Sequence, residues 1–156
     1  MLARNAPSLP RLASIYARDR AQIDDLAQEM ALALWRAIPG FRGDCSERTF
    51  VFRVAHNVAI THLVRRARPG GAPLDEDIVD PAPPADEALA RADRRSRLLA
   101  AIRTLPLPQR EVVTLALEEL SHEEIAQVLD LTASNVAVRL HRAKARLKEI
   151  LEAGDG

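Results

Sequence analysis

Residues 121–147 read SHEEIAQVLDLTASNVAVRLHRAKARL. Ser121 and Glu124 have the S-x-x-E spacing of a capping box, in which side chain and backbone exchange hydrogen bonds at a helix start. Ile125, Ala126 and Leu129 then supply a short apolar face. Thr132 is a good N-cap residue, so a second helix is expected to begin beside it. Within that helix Val136, Leu140, Ala143, Leu147 and Ile150 step by four, three, four and three, which places them in one stripe. The break at Asp130-Leu131-Thr132 is too short to be a linker. Two helices, a tight turn and a basic second helix predict a helix-turn-helix that reads DNA.

The charges of the second helix carry that expectation. Between Thr132 and Lys148 they are Arg139, Arg142, Lys144, Arg146 and Lys148, with no acid among them. At about 100° per residue, Ser134, Val138, His141 and Arg142 point away from the apolar stripe, with Asn135 and Arg139 on their flanks. Short polar groups near a helix start can approach base edges, and arginines further along can reach guanine or phosphate. The plainer explanation of the same charges is a solvated basic face on a C-terminal helix.

Working outward, the composition asks for helices. The chain has 156 residues, room for one average domain or two small ones, and aromatics are only 3%. Abundant Ala, Leu and Arg with few strand-favouring aromatics predict an all-α fold. The net charge of zero conceals an uneven distribution. Residues 1–70 sum to +5, residues 71–93 to −6 and residues 94–156 to +1. Two basic regions thus flank an acidic connector. One cysteine, Cys45, rules out an internal disulfide framework or a multi-cysteine zinc site and fits a reducing cytoplasm. With neither a signal-peptide pattern nor an apolar run of about 18 residues, membrane insertion is not expected.

Upstream, residues 1–8 are expected to fray and a short helix to run over 9–18. A longer helix should start near Asp19 or Ala21 and stop before Pro39-Gly40, with Ile23, Leu26, Met30, Leu34 and Ala37 as its stripe. Asp24, Asp25, Gln28 and Glu29 lie off that stripe and read first as solvated surface. Residues 39–47, PGFRGDCSE, form a loop by their Gly, Pro and small polar residues. A third helix over 46–68 has Phe50, Val51, Val54, Val58 and Leu63 as core positions. After Glu47 it holds five arginines and no acid, a second candidate for phosphate contact. Its His56, Asn57 and Thr61 either meet bases or, for Asn57 and Thr61, make structural hydrogen bonds.

Residues 69–85, PGGAPLDEDIVDPAPPA, carry five prolines, two glycines and clustered acids, and are expected to be a flexible linker. Helices follow over 86–104, with Leu89, Leu98, Leu99 and Ile102 apolar, and over 109–119, with Val112, Val113, Leu115 and Leu117 apolar. The expected organisation is therefore a first helical domain at 1–68, a linker at 69–85 and a second domain at 86–156 containing the helix-turn-helix.

The stretch DDLAQEMALALWRAIPGFRG, followed by ERTFVFRVAHNVAITHL, resembles the first conserved domain of bacterial sigma factors of the extracytoplasmic-function group, within the sigma-70 superfamily. LPLPQREVVTLALEELSHEEIAQVLDLTASNVAVRLHRAKARLKEIL resembles the second. The resemblance implies a promoter-specificity subunit of RNA polymerase. Asp25, Leu26, Gln28 and Glu29 would then dock on the clamp helices of the polymerase's largest subunit, with Trp35 kept as core. Asp44, Cys45 and Ser46 would line a pocket for a base flipped from the −10 element, a device whose extrusion cost is met by pocket contacts. Arg48 and Arg53 would hold backbone, and His56, Asn57 and Thr61 would belong to the neighbouring −10 reader. The helix-turn-helix would read the −35 element. An anti-sigma factor is a further partner implied by resemblance.

The match has departures. The N-terminal segment is short for the group, Phe50 stands for the usual Trp, and Asp130 replaces a Gly at the turn. Ala137-Val138 replaces Lys-Ser in the recognition helix, which removes two polar contacts and offers Val138 to a thymine methyl. His122-Glu123 would open a zincin motif, but Ala126 stands where a second histidine is needed. Neither a phosphate-binding glycine loop nor a nucleophile with an oxyanion device is apparent. The expectation is a non-enzyme with no cofactor and no metal. The competing reading is a stand-alone helix-turn-helix regulator with an N-terminal sensing or dimerising module, which would bind a two-fold operator as a dimer.

Overall fold

The computed structural model describes residues 1–67 and 87–154. Every regular element among them is a helix. They are α1 (Leu2–Asn5), α2 (Ser8–Tyr16), α3 (Arg20–Ala37), α4 (Glu47–Ala67), α5 (Glu87–Thr104), α6 (Leu107–Leu117), α7 (His122–Leu129) and α8 (Ala133–Gly154), with a single 3-10 turn at Ile38–Gly40. The connector expected at 69–85 lies outside the described residues.

Local chemistry sets most of these boundaries. Asp19 caps α3, its carboxylate accepting from the Gln22 N–H at 2.8 Å. Ser46 caps α4 in the same way, its hydroxyl accepting from the Thr49 N–H at 3.0 Å. Such caps satisfy donors that a helix start leaves orphaned and are each worth about 1 kcal/mol. The start of α6 differs from expectation. Pro106 and Pro108 do not hold the helix off until residue 109; Leu107 opens it, because proline in a first turn forfeits no helical hydrogen bond. The expected fraying of residues 1–8 is also overturned. Met1 and Leu2 pack against the core, and the terminal amine lies 3.7 Å from Glu47.

The N-terminal helices enclose Leu12, Leu26, Met30, Leu34, Val51 and Phe52, all essentially without solvent exposure. The C-terminal helices enclose Ile102, Leu105, Val112, Leu115, Ile125 and Val136 to the same degree. The stripe read along α8 is correct: Val136, Leu140, Ala143 and Leu147 are buried and Ile150 is partly so. Of the apolar positions of α6, Val112, Val113 and Leu115 are buried and Leu117, at its end, is half exposed. The two halves touch. Helix α4 packs on α7 and α2 on α5, so their buried side chains form one cluster.

Candidate nucleic-acid interface

The turn between α7 and α8 is built as its residues demand. The capping box is complete: the Glu124 N–H donates to the Ser121 hydroxyl at 3.1 Å, and the Ser121 N–H to the Glu124 carboxylate at 3.0 Å. Asp130 ends α7 in the left-handed region, φ 57° and ψ 52°. This is the conformation that glycine adopts without penalty and that Asp and Asn tolerate best among other residues. The Leu131 N–H closes back on the Ala126 carbonyl at 2.9 Å. Thr132 then caps α8, accepting from the Asn135 N–H at 3.1 Å. Three residues therefore join the two helices, with the Asp130 and Leu131 N–H groups both returned to the Ala126 carbonyl.

This turn presents the outer face of α8. Ser134, Asn135, Val138, His141 and Arg142 are exposed, and Arg139 is partly so. Arg139 Nε donates to Asn135 Oδ1 at 3.3 Å, which aligns the guanidinium along the helix. Val138 is 46% exposed, an isolated apolar contact between polar neighbours.

On α3 the packing rearranges the expected roles. Leu26 is 1% exposed and Trp35 is 69% exposed. Leu26 is therefore core and makes no outward contact, while Trp35, expected as core, stands in solvent. The stripe through Leu26, Met30 and Leu34 explains both, because Trp35 is turned about 100° from Leu34. Asp25, Gln28, Glu29, Leu32 and Trp35 share one exposed face, spanning about 120° of the helix. That face combines acids with two large apolar groups. Sequence reasoning missed Leu32 and Trp35; their distance from the buried stripe was the signal available.

The loop before α4 and the start of α4 show a divided arrangement. Asp44 and Ser46 are exposed and Cys45 is partly so. Ser46 is already engaged as the cap of α4, and its hydroxyl also donates to Thr49 Oγ1 at 2.9 Å. Asn57 and Thr61 are exposed, with the Thr61 hydroxyl donating to the Asn57 carbonyl at 2.9 Å. Three other side chains turn towards the C-terminal half. Arg48 donates to the Glu118 carbonyl, and Arg53 to the Gln127 carbonyl at 3.1 Å. His56 is buried, with Nε2 2.8 Å from Glu111 Oε2. In this arrangement His56 offers no edge to a base. Beside it, Tyr16 packs edge-on to the imidazole, and burial pushes its phenol well above the ordinary range. Arg11 completes the seam, gripping both carboxylate oxygens of Glu118 at 2.8 and 2.9 Å.

Comparison with known proteins identifies these parts. Residues 1–69 match the family model for sigma-70 region 2, and residues 95–147 that for sigma-70 region 4. The RNA polymerase sigma-H factor of Pseudomonas aeruginosa is 32% identical, over 88% of this chain and 77% of its own. The ECF RNA polymerase sigma-E factor of Escherichia coli is 28% identical, over 86% of this chain and 77% of its own. Among solved structures, CnrH in complex with the cytosolic domain of CnrY is 26% identical with a TM-score of 0.72, covering 97% of this chain and 85% of that one. The sigma factor RpoE of Bartonella quintana, solved with the anti-sigma factor NepR, shares the fold with a TM-score of 0.78 at 21% identity, over 97% and 94% of the two chains. The chain belongs to the sigma-70 family of RNA polymerase sigma factors, in its extracytoplasmic-function group.

Proposed function

We propose that this chain brings RNA polymerase core to particular promoters through two separate readers. Residues 1–68 bind core and the −10 element, residues 86–156 bind the −35 element, and residues 69–85 tether them. The observation that carries this is the pairing of two faces in one chain. One is the exposed basic face of α8 behind a fully capped helix-turn-helix, and the other is the acidic and apolar face of α3.

On α8, Ser134, Asn135, Val138, Arg139, His141 and Arg142 contact the −35 duplex, since a recognition helix reads bases from its N-terminal turns. On α3, Asp25, Gln28 and Glu29 with Leu32 and Trp35 suit a basic, amphipathic helical partner, the clamp helices of the largest subunit. Trp35 anchors that contact, because large aromatics supply much of the energy at interface centres. Leu26 supports the helix from within. Asp44, Cys45 and Ser46 border the base-capturing loop, Asn57 and Thr61 serve the −10 strand from the exposed face of α4, and Arg48, Arg53 and His56 serve it once released from the C-terminal half. Melting is assisted by holding the extruded base, not by covalent chemistry, and no enzymatic activity is assigned.

An anti-sigma factor is a fitting further partner, as RpoE was solved with the anti-sigma factor NepR and CnrH with the cytosolic domain of CnrY. No helix among the described residues is long and apolar enough to cross a membrane, and we assign the chain to the cytoplasm. Run-off transcription with purified core tests the proposal. Core plus this chain should start transcripts at defined sites that core alone does not use. Equal initiation without the chain would refute it, and binding to a two-fold operator with no affinity for core would favour the stand-alone regulator.

A further inference from the structure

A cavity of about 380 Å³ opens at the seam between the halves, within the range of small-molecule sites, about 300–1,000 Å³. Its polar lining is cationic. Arg18, just after α2, and Arg66 on α4 come from the first half, Arg103 on α5 and Arg110 on α6 from the second. No carboxylate lines it among the described residues. Ile15, Leu63 and Leu107 supply apolar wall between the guanidinium groups.

Hydrogen bonds fix three of these arginines in place. Arg66 Nη1 donates to Gln22 Oε1. Arg103 donates from Nε and Nη2 to the Ser14 carbonyl at 3.0 and 2.6 Å. Arg110 Nη2 donates to the Arg103 carbonyl at 2.9 Å and the Leu105 carbonyl at 3.2 Å. The Nε–H groups of Arg66 and Arg110, one from each half, are removed from solvent and meet no acceptor. A buried donor without an acceptor is costly, and in a native fold it calls for a bound water or ion. Water would accept the bond but leave the charges of both walls unbalanced, and charge is poorly screened beside apolar side chains. An anion answers both needs. Guanidinium groups grip phosphate through paired N–H donors. Arginines on opposed walls suit an anion with acceptors on both sides, which is the shape of a diphosphate.

We propose that this cavity binds a diphosphate group, free or at the end of a small organic phosphate, and that the bound anion ties the two halves together. Only the consequence rests on the promoter-reading role given above. A ligand gripped from both halves opposes the release of Arg48, Arg53 and His56. It therefore weakens the chain's hold on core by the same factor by which core weakens the ligand's hold.

The test uses the full chain with pyrophosphate and, separately, ADP, in chloride buffers of matched ionic strength. Calorimetric titration should find one saturable site for pyrophosphate. Equal binding of ADP assigns the site to organic diphosphates, and its exclusion assigns it to the free anion. A ligand that binds only the folded chain raises the thermal midpoint, by about 5–10 °C at a hundred times its Kd. Arg66→Gln keeps a polar group beside Gln22 and should weaken pyrophosphate by about tenfold or more. Arg18→Ala, at an exposed position outside any helix, should weaken it severalfold without disturbing the fold. Arg91→Ala, exposed on α5 and outside the cavity lining, should leave binding unchanged. In a core-binding titration, pyrophosphate at ten times its Kd should weaken the wild-type affinity by about tenfold and that of Arg66→Gln far less.

No saturable binding by the wild-type chain would overturn the proposal. So would binding that Arg66→Gln and Arg18→Ala leave intact, or binding that leaves the affinity for core unchanged. If pyrophosphate binds only after Asp75→Asn/Glu76→Gln/Asp77→Asn/Asp80→Asn, the cavity serves the chain's own carboxylates and the proposal also falls. A chain that binds pyrophosphate yet never binds core leaves the site standing and removes the promoter-reading role.

Discussion

His56 Nε2 and Glu111 Oε2 lie 2.8 Å apart across the seam between α4 and α6, and both side chains are largely removed from water. One comes from the helix assigned to the −10 strand, the other from the helix preceding the −35 reader. Replacing Glu111 by alanine leaves a buried imidazole without its partner, which costs about 1–3 kcal/mol of stability. Urea unfolding should show that loss. A double-mutant cycle with His56→Ala should return a coupling of about 0.5–3 kcal/mol, whereas additive losses would mean that the pair does not interact.

The exposed tryptophan separates stability from binding. Trp35 is 69% exposed while its neighbour Leu34 is fully buried. Trp35→Ala should therefore leave the unfolding midpoint nearly unchanged, whereas Leu34→Ala should cost about 2–5 kcal/mol. In a pull-down or fluorescence titration with core polymerase, Trp35→Ala should weaken binding by about 2 kcal/mol or more. Unchanged core affinity would remove Trp35 from the interface.

His62 gives a pH dependence with a defined sign. Burial is the main cause holding its imidazole below the ordinary range, and Arg66 and Arg65 act in the same direction against an opposing Glu29. A depressed folded-state value means that the unfolded chain takes up the proton first as pH falls. The stability tied to neutral His62 is then fully present above the ordinary imidazole value of about 6.5. It declines below that value and is gone once pH has fallen through the folded-state value. His62→Gln should flatten the stability profile in that mildly acidic window. An identical slope in both proteins would assign it to other groups.

Much of the second half was legible because its signals are local. The spacing of Ser121 and Glu124 announces the capping box, and the stripe from Val136 to Leu147 announces the buried face of α8. Asp130 stood out as a substitution for glycine, and its positive φ gives the reason that position is special. The first half was read less well where packing decides. Leu26 belongs to the apolar stripe that packing buries, although the resemblance puts it in the contact set, and Trp35 lies off that stripe and stands in solvent. The seam was not legible at all. Arg11 and Glu118 are 107 positions apart, and no periodicity links two such residues.

Asp130 leads to a stabilising change. A non-glycine residue at φ 57° carries a steric cost that glycine avoids, partly offset by the greater freedom glycine has in the unfolded chain. Asp130→Gly should raise stability by about 0.5–1 kcal/mol, with promoter choice unaltered. A thermal melt decides it; a lowered midpoint would mean that the Asp130 side chain contributes more than its backbone strain costs.

On the recognition helix, two arginines one turn apart should behave differently. Arg142 is exposed, and nothing on its own helix from Ala133 to Lys148 is acidic, so it is suited to phosphate. Arg142→Ala should weaken every duplex by a similar factor and reduce the salt slope by about 1. Arg139 is steadied by Asn135 Oδ1 and lies nearer the helix start, where base edges are within reach. Arg139→Ala should cost about 1–3 kcal/mol on the preferred −35 sequence and much less on scrambled DNA. Asn135→Ala should produce a smaller version of the same loss, because it frees the guanidinium without removing it. Binding titrations on matched and scrambled duplexes at two salt concentrations distinguish these patterns. If Arg139→Ala weakens both duplexes equally, the side chain holds backbone only, and sequence reading by α8 passes to Ser134, Val138 and His141.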